Sequence, residues 1–370
     1  MAGPVLGGVI TRTISWRWCF LINVPLGAVA VIGILLLLRS PGIFSQEQVS
    51  VSSRIRDFDW KGIATVIPGV TLLLVALSWG GSTYPWSSGI VLGPMVAGMI
   101  LIAAFILVEY SGQSRPLLLV HLLKQRNFAI GMGYAFCSSS ALTAMDYYVC
   151  TSISHSVSEQ NPYSFSQIPL WLQVVHGSSV LSSAIITLPS VLAGTLALIT
   201  AGYLVTRSGY YNPIMIAGGL FSVIAGVILT TLRPSSAVRE VIGIEILLGL
   251  ASISAQQPFT IAQTMANSTE TSSAISNMVF AASMGSTFSL TLFQVVFARA
   301  LTRSLDPASA KAVLATGATE IRTAFAGPTL GGVIEAYSRA LTKAFYSSVG
   351  LSVCAVVSAG ALSWEKLKVD

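Results

Sequence analysis

Charge is what this sequence has least of. Of its 370 residues, 14 are acidic and 20 are basic, so 9% are charged while 53% are hydrophobic. A soluble chain of this length needs a charged exterior, and so few charges cannot supply one. Histidine and cysteine are scarcer still. The 3 histidines (His121, His155, His176) are scattered, with no HExxH pattern and no Cys/His cluster, so a metal site has no support. The 4 cysteines (Cys19, Cys137, Cys150, Cys354) form no CxxC pair, and three lie in apolar runs, where small packing residues belong. No basic stripe with interleaved aromatics accompanies the net charge of +6, which argues against nucleic acid. Met1–Arg12 lacks the basic start of a cleavable signal peptide. An integral-membrane enzyme would need a paired-Asp motif, HExxH or a Ser/Lys dyad within a span, and none is present. The chain reads as no enzyme and implies no cofactor.

Long apolar runs fill the space that charge leaves, and the mean hydropathy is +0.76. A membrane-crossing helix needs roughly 20 mostly apolar residues, because lipid offers no partner for backbone N–H and C=O groups. Nine stretches reach that length: Trp16–Leu38, Trp60–Trp79, Gly89–Tyr110, Phe128–Val149, Ser179–Val205, Asn212–Leu232, Val241–Ala266, Ser273–Ala298 and Ala344–Trp364. Met1–Arg12 falls short. The fold class is an all-α polytopic membrane protein, with the lipid bilayer as its first partner.

Lys and Arg set the expected orientation. With Arg39–Lys61 and Ser111–Asn127 in the cytosol, that side also holds Arg207, Lys366 and Lys368, while the opposite short loops hold Arg12, Arg17, Arg233 and Arg239. The C-terminus is then cytosolic, in a multi-pass protein of the cell membrane. Residues 39–61 read as a polar cytosolic linker. Gly80–Ser88 has the turn formers and the Tyr84/Trp86 pair of an interfacial hairpin. Residues 303–342 read as a partly helical extracellular loop. An octapeptide nearly repeats, as Gly3-Pro-Val-Leu-Gly-Gly-Val-Ile10 and Gly327-Pro-Thr-Leu-Gly-Gly-Val-Ile334. The second copy is read as loop, so GPxxGG alone is a weak signal.

Context strengthens the first copy. It is followed by Ser15-Trp-Arg-Trp-Cys-Phe-Leu-Ile-Asn-Val-Pro-Leu-Gly27. Together these resemble the junction of the fifth and sixth spans in the major facilitator superfamily, in its fungal fourteen-span drug:proton antiporter group. Gly3, Pro4, Gly7 and Gly8 match that group's antiporter motif. Gly3 and Gly7 lie one helical turn apart and allow a neighbouring helix close, while Pro4 permits a bend. The likeness continues in order through Ala76–Trp86, Leu123–Asn127, Pro169–Gln173, Thr187–Pro189, Gly202–Tyr211 and Gln256–Pro258. It implies a superfamily helical bundle with an incomplete N-terminal half. Residues 1–38 would be a remnant of spans five and six, 62–110 two central extra spans, and 111–370 a C-terminal six-helix half. Against the family pattern, residues 149–167 are a polar, Ser-rich insertion. Deleting them joins Tyr-Tyr to Ile-Pro-Leu-Trp, so a retained intron and a true extracellular loop are the two readings.

The resemblance implies an efflux transporter of the proton-antiport type, exporting a small amphipathic molecule such as a secondary metabolite, toxin or drug. Protons and that substrate are the implied partners. The alternative is a truncated, inactive relic. Antiport needs a titrating carboxylate in a polar cavity. Asp146 and Glu245 are the acids within expected spans, on helices that line the family's cavity; each could instead be an interfacial carboxylate. Glu109, at the end of its span, is expected to snorkel to the headgroups. Glu245, Ser252, Gln256 and Gln263 are offset by 7, 11 and 18 residues. At about 100° per residue they return to one line on a helix. That stripe either lines the cavity or hydrogen-bonds to neighbouring spans, with Gln257 beside it and Pro258 able to bend it. Gly202, Arg207 and Gly209 fall in a turn that resembles the family's cytosolic gating loop. Gly202 is expected at a close helix contact, and Arg207 at helix-end carbonyls or an acid across the turn.

Overall fold

The structure is a computed structural model that describes residues 15, 17–37, 59–80, 84–111, 117–150, 188–233, 238–267, 270–306, 309, 310, 312, 313, 328–364 and 366. In chain order the helices are α1 (Arg17–Leu21), α2 (Asn23–Leu37), α3 (Trp60–Trp79), α4 (Gly89–Tyr110), α5 (Val120–Leu123) and α6 (Arg126–Cys150). They continue with α7 (Leu188–Ser208), α8 (Asn212–Thr231), α9 (Val238–Ala251), a 3-10 turn (Ser252–Ser254), α10 (Gln257–Met265), α11 (Thr271–Ser304) and α12 (Pro328–Ala361). Beyond helices, the described residues hold one isolated bridge, between Gly80 and Tyr84. Eight helical stretches among them are long and apolar enough to cross a bilayer. Large apolar side chains are turned outwards, including Leu192, Leu196, Ile199 and Tyr203 along α7. Their three- and four-residue spacing makes one exposed apolar face, which suits lipid and would be a liability in water. The chain is a multi-pass membrane protein.

α3 and α4 form an antiparallel hairpin. Asp59 caps α3 by accepting the Gly62 N–H at 2.8 Å, and Ser88 caps α4 by accepting the Ile90 N–H at 3.3 Å. Small residues set their crossing. A Cβ on Gly98 would lie 2.9 Å from the Gly69 carbonyl oxygen and 3.0 Å from the Leu73 nitrogen. Lipid tails are as apolar as the side chains, so such close backbone packing holds membrane helices together. At the turn, Trp86 covers Gly80, and the Arg299 guanidinium lies 5.7 Å above the Trp86 ring. That contact ties the hairpin to α11.

In the remainder, α6 packs on α11 and α12, α8 on α12 and α9, and α7 on α9. Gly285 of α11 meets the Phe136 carbonyl and the Ser140 hydroxyl of α6. One core gathers Met145, Ile244, Leu248, Phe293, Phe297, Tyr337, Leu341 and Phe345. A second gathers Phe128, Tyr134, Tyr211, Met215, Ile261, Met278 and Ala355. The C-terminal end of α12 is held by α6: Arg126 donates to the Ala361 carbonyl at 3.1 Å, and Asn127 accepts from the Ser363 N–H at 3.0 Å.

Three expectations change, and a fourth falls mostly outside the described residues. The first apolar stretch is two helices with a break at Ile22, where α2 opens at Asn23 with Pro25 in its first turn, a position that needs no N–H partner. In the expected partly helical loop 303–342 the described residues are mostly helix: α11 runs to Ser304 and α12 starts at Pro328. Val333, Ala336, Tyr337, Ala340, Leu341 and Ala344 recur at helical spacing and are buried, so a polar-looking stretch folds as an amphipathic helix. The second octapeptide copy therefore opens α12 and is not loop, apart from Gly327, which lies outside the described residues. Of the expected insertion 149–167, Val149 and Cys150 belong to α6 and the rest lies outside the described residues.

Candidate functional site

Glu245 sits in the middle of α9 and is 5% exposed. It is placed by the α7–α9 crossing one turn further on. There Gly249 meets the Ser190 carbonyl and the Gly194 backbone of α7, and Gly194 in turn meets Gly249. With no Cβ on either glycine, the two backbones touch. Glu245 is held beside the Ser190 side chain, with Asp146 of α6 acting on it as a like charge. Asp146 itself is exposed. The flanking residues Met145 and Ile244 belong to one core. Both sequence-derived carboxylates thus border that core, Glu245 buried and Asp146 exposed.

Ser252 belongs to the same place: its hydroxyl lies 3.7 Å from where a Cβ on Gly194 would sit. The stripe does not continue beyond it as expected. Pro258 has no N–H to give the Ser254 carbonyl, and the chain tightens to a 3-10 turn, with the Ala255 N–H on the Ser252 carbonyl at 3.0 Å. A tighter turn advances the register. As a result Gln257 is buried at 3% exposed, with its Oε1 unpartnered, while Gln256 and Gln263 are exposed. The single line from Glu245 to Gln263 is corrected to two groups.

The second group restarts on α10. Gln256, Gln263 and Thr264 are exposed, Thr260 is half-buried, and their offsets of 4, 7 and 8 residues put all four on one helix face. Thr260 donates to the Gln256 carbonyl at 3.4 Å and Thr264 to the Thr260 carbonyl at 3.1 Å. Sequence reasoning missed both threonines, although counting the helical period afresh from Pro258 finds them. It also missed Ser190, which no local pattern marks.

Other candidates fall elsewhere. Gly3, Pro4, Gly7 and Gly8 lie outside the described residues. Gly209 ends α7 in a left-handed conformation, φ 74°, and its N–H bonds the Val205 carbonyl at 2.8 Å. Arg207 does not reach across the turn; it donates to the Tyr203 hydroxyl of its own helix at 2.9 Å. Gly202 is not at a helix contact, since a Cβ there would meet open space. Glu109 does not snorkel. It is 4% exposed, with its Oε2 accepting the Leu118 N–H at 3.1 Å.

Comparison with known proteins gives this arrangement a context. Residues 1–159 match a family model described as the fungal trichothecene efflux pump (TRI12). The MFS-type transporter VdtG of Byssochlamys spectabilis is 31% identical over 370 residues, covering 99% of this chain and 63% of its own length. Efflux pump aunC of Aspergillus niger (strain ATCC 1015) is 32% identical, covering 98% of this chain and 66% of that protein. MFS-type efflux pump MFS1 of Trichophyton rubrum is 31% identical, covering all of this chain and 66% of that protein. The chain spans just under two thirds of the length of these curated relatives. Among solved structures, an inward-facing, occupied bacterial homolog of the human lysosomal transporter Spinster aligns at a TM-score of 0.46 and 14% identity, over 81% of this chain and 64% of that one. On the strength of the sequence relatives, which are transporters and not enzymes, the chain belongs to the major facilitator superfamily.

Proposed function

We propose that the chain works as an efflux transporter of the proton-antiport type, exporting a small amphipathic molecule across the cell membrane, with its C-terminus in the cytosol. The observation that carries this reading is the buried carboxyl of Glu245 beside the α7–α9 crossing, with exposed Asp146 of α6 acting on it as a like charge. An exposed acid can take a proton and pass it to a buried neighbour. The buried acid then changes charge in a place where charge is costly, so its protonation is coupled to how α7 and α9 pack. Gln256, Thr260, Gln263 and Thr264 offer amide and hydroxyl contacts on α10, with Ser252 and Gln257 at the bend; such groups hydrogen-bond substrate without titrating. Gly209 and Arg207 shape the turn after α7, and Gly3, Pro4, Gly7 and Gly8 carry the antiporter motif. The printed names of the relatives, efflux pumps among them, agree with export.

The test is flux in proteoliposomes holding the full chain, with an imposed pH gradient and a fluorescent amphipathic dye. Dye movement that follows the sign of the gradient and stops on adding a protonophore supports antiport. Movement indifferent to the gradient, or none, overturns it.

A further inference from the structure

Between α6, α8 and α12, beside the 3-10 turn, lies an internal cavity of about 10 Å³. Five residues around it carry hydroxyls: Tyr134 and Ser138 of α6, Ser222 of α8, Ser254 of the 3-10 turn and Ser352 of α12. All but Ser138 are buried, and Tyr134 and Ser352 are 0% exposed. Ser138 is half-buried, so the cavity comes nearest the surface on the α6 side. Glycine makes room on the α8 side. A Cβ on Gly218 would collide with the Ser254 hydroxyl, so the missing side chain is what lets that hydroxyl in. Ser254 stands in the turn that tightens before Pro258, and the cavity therefore borders the break in this span.

Each hydroxyl has one proton to give, and each proton is already placed. Tyr134 donates to the Met215 carbonyl at 3.1 Å and Ser138 to the Ala135 carbonyl at 3.5 Å. Ser254 donates to the Ala251 carbonyl at 3.2 Å and Ser352 to the Ser348 carbonyl at 2.9 Å. That leaves Ser222 as the donor in its 2.8 Å bond with Ser352. A hydroxyl oxygen also offers two lone pairs, and within this cluster only Ser352 has one of them filled. The oxygens around the cavity are left as acceptors with no donor among them.

Such a cage calls for a ligand that donates. One water needs roughly 10–15 Å³ and two to four polar partners, and the cavities that stay dry in proteins are apolar ones. A metal cation would bring charge into a membrane span, with no acid among the described residues lining the cavity to balance it. From the geometry we propose that the cavity is a binding site for one water molecule, which donates its protons to the hydroxyl cluster and joins α6, α8, α12 and the 3-10 turn. The site is separate from the carboxylates and the α10 face to which the efflux reading assigns proton and substrate. It makes the joint at the break adjustable. A water can exchange one hydroxyl acceptor for another as the turn shifts, where a direct side-chain bond would have to break.

X-ray radiolytic labelling of the full chain in lipid nanodiscs tests this. Radiolysis of a bound water makes a hydroxyl radical in place, the radical oxidises the aromatic ring beside it, and mass spectrometry locates the product. Tyr134 should be oxidised although it is 0% exposed, while Phe293, equally buried in the other core, should stay intact. Ala355→Val puts added methyl groups into the cavity. It should abolish oxidation of Tyr134 and leave that of exposed Tyr84 unchanged. A wild-type Tyr134 as intact as Phe293 overturns the proposal whether or not the variant folds. Undiminished oxidation of Tyr134 in a folded Ala355→Val chain overturns it too. Loss of the wild-type label when sodium replaces choline in the buffer would also overturn it, by placing a metal cation where the water is assigned.

Discussion

Gly249 of α9 touches Gly194 of α7 backbone to backbone, and a Cβ on Gly249 would lie 2.9 Å from the Gly194 nitrogen. No rotamer relieves that clash, because the obstacle is main chain. Gly249→Val is expected to cost about 1–3 kcal/mol, as overpacking does, and to move Glu245, one turn away. Thermal unfolding in detergent measures it. Gly243→Ala on the same helix should leave stability unchanged, since a Cβ there meets open space.

Ser222 of α8 and Ser352 of α12 are buried with hydroxyls 2.8 Å apart, and Ser352 passes its own proton to the Ser348 carbonyl at 2.9 Å. Ser222 is therefore the donor. Hydrogen bonds between membrane helices average about 0.6 kcal/mol in double-mutant cycles. The cycle Ser222→Ala, Ser352→Ala should give a coupling of that size. Strict additivity would show that the hydroxyls do not stabilise each other.

The register change at Pro258 can be read by labelling. In a background with the native cysteines replaced, cysteines at Gln256, Thr260, Gln263 and Thr264 should react with a membrane-impermeant maleimide. A cysteine at Gln257 should not. Pro258→Ala restores the missing N–H, so the protection should shift from 257 towards 256. Labelling that is equal at 256 and 257 would refute the two-group description.

Glu245→Gln should lower gradient-driven export about tenfold or more, equivalent to at least ~1.4 kcal/mol. Asp146→Asn should lower it too, since it removes the exposed partner. Glu109→Gln should lower it less, and Gln256→Ala should change apparent substrate affinity with less effect on coupling. Flux at matched expression decides between them. Equal losses at Glu245 and Glu109 would mean that Glu245 has no special place in the proton path.

Much of the fold is legible as runs of apolar residues bounded by turn formers, and α3 and α4 start and stop where their composition says. The excess turns of α11 and α12 are harder to see. There only one side is apolar, as at Val333, Tyr337 and Leu341, and a search for uniformly apolar windows passes over it. Within the site, the candidacy of Glu245 and Asp146 is legible from rarity alone, because an acid in a span is costly. Their placement is not, since Glu245 is set by the glycine crossing of α9 with α7 and Asp146 lies on a third helix, α6. The straight stripe misleads because it assumes 3.6 residues per turn across a proline.

α11 and α12 are each 34 residues long. At about 1.5 Å per residue that is about 51 Å, against about 30 Å of hydrocarbon. Their contacts, Phe293 with Phe345 and Phe297 with Tyr337, run antiparallel, so the end of α11 and the start of α12 lie at the same end. There Leu301, Val333 and Tyr337 share one core with Leu229, Leu232 and Val241, which joins the long pair to the bundle. Their common end swings through an arc that grows with helix length whenever the bundle tilts. A fluorophore or spin label at Arg303 would magnify that rocking into a displacement large enough to follow from outside the membrane.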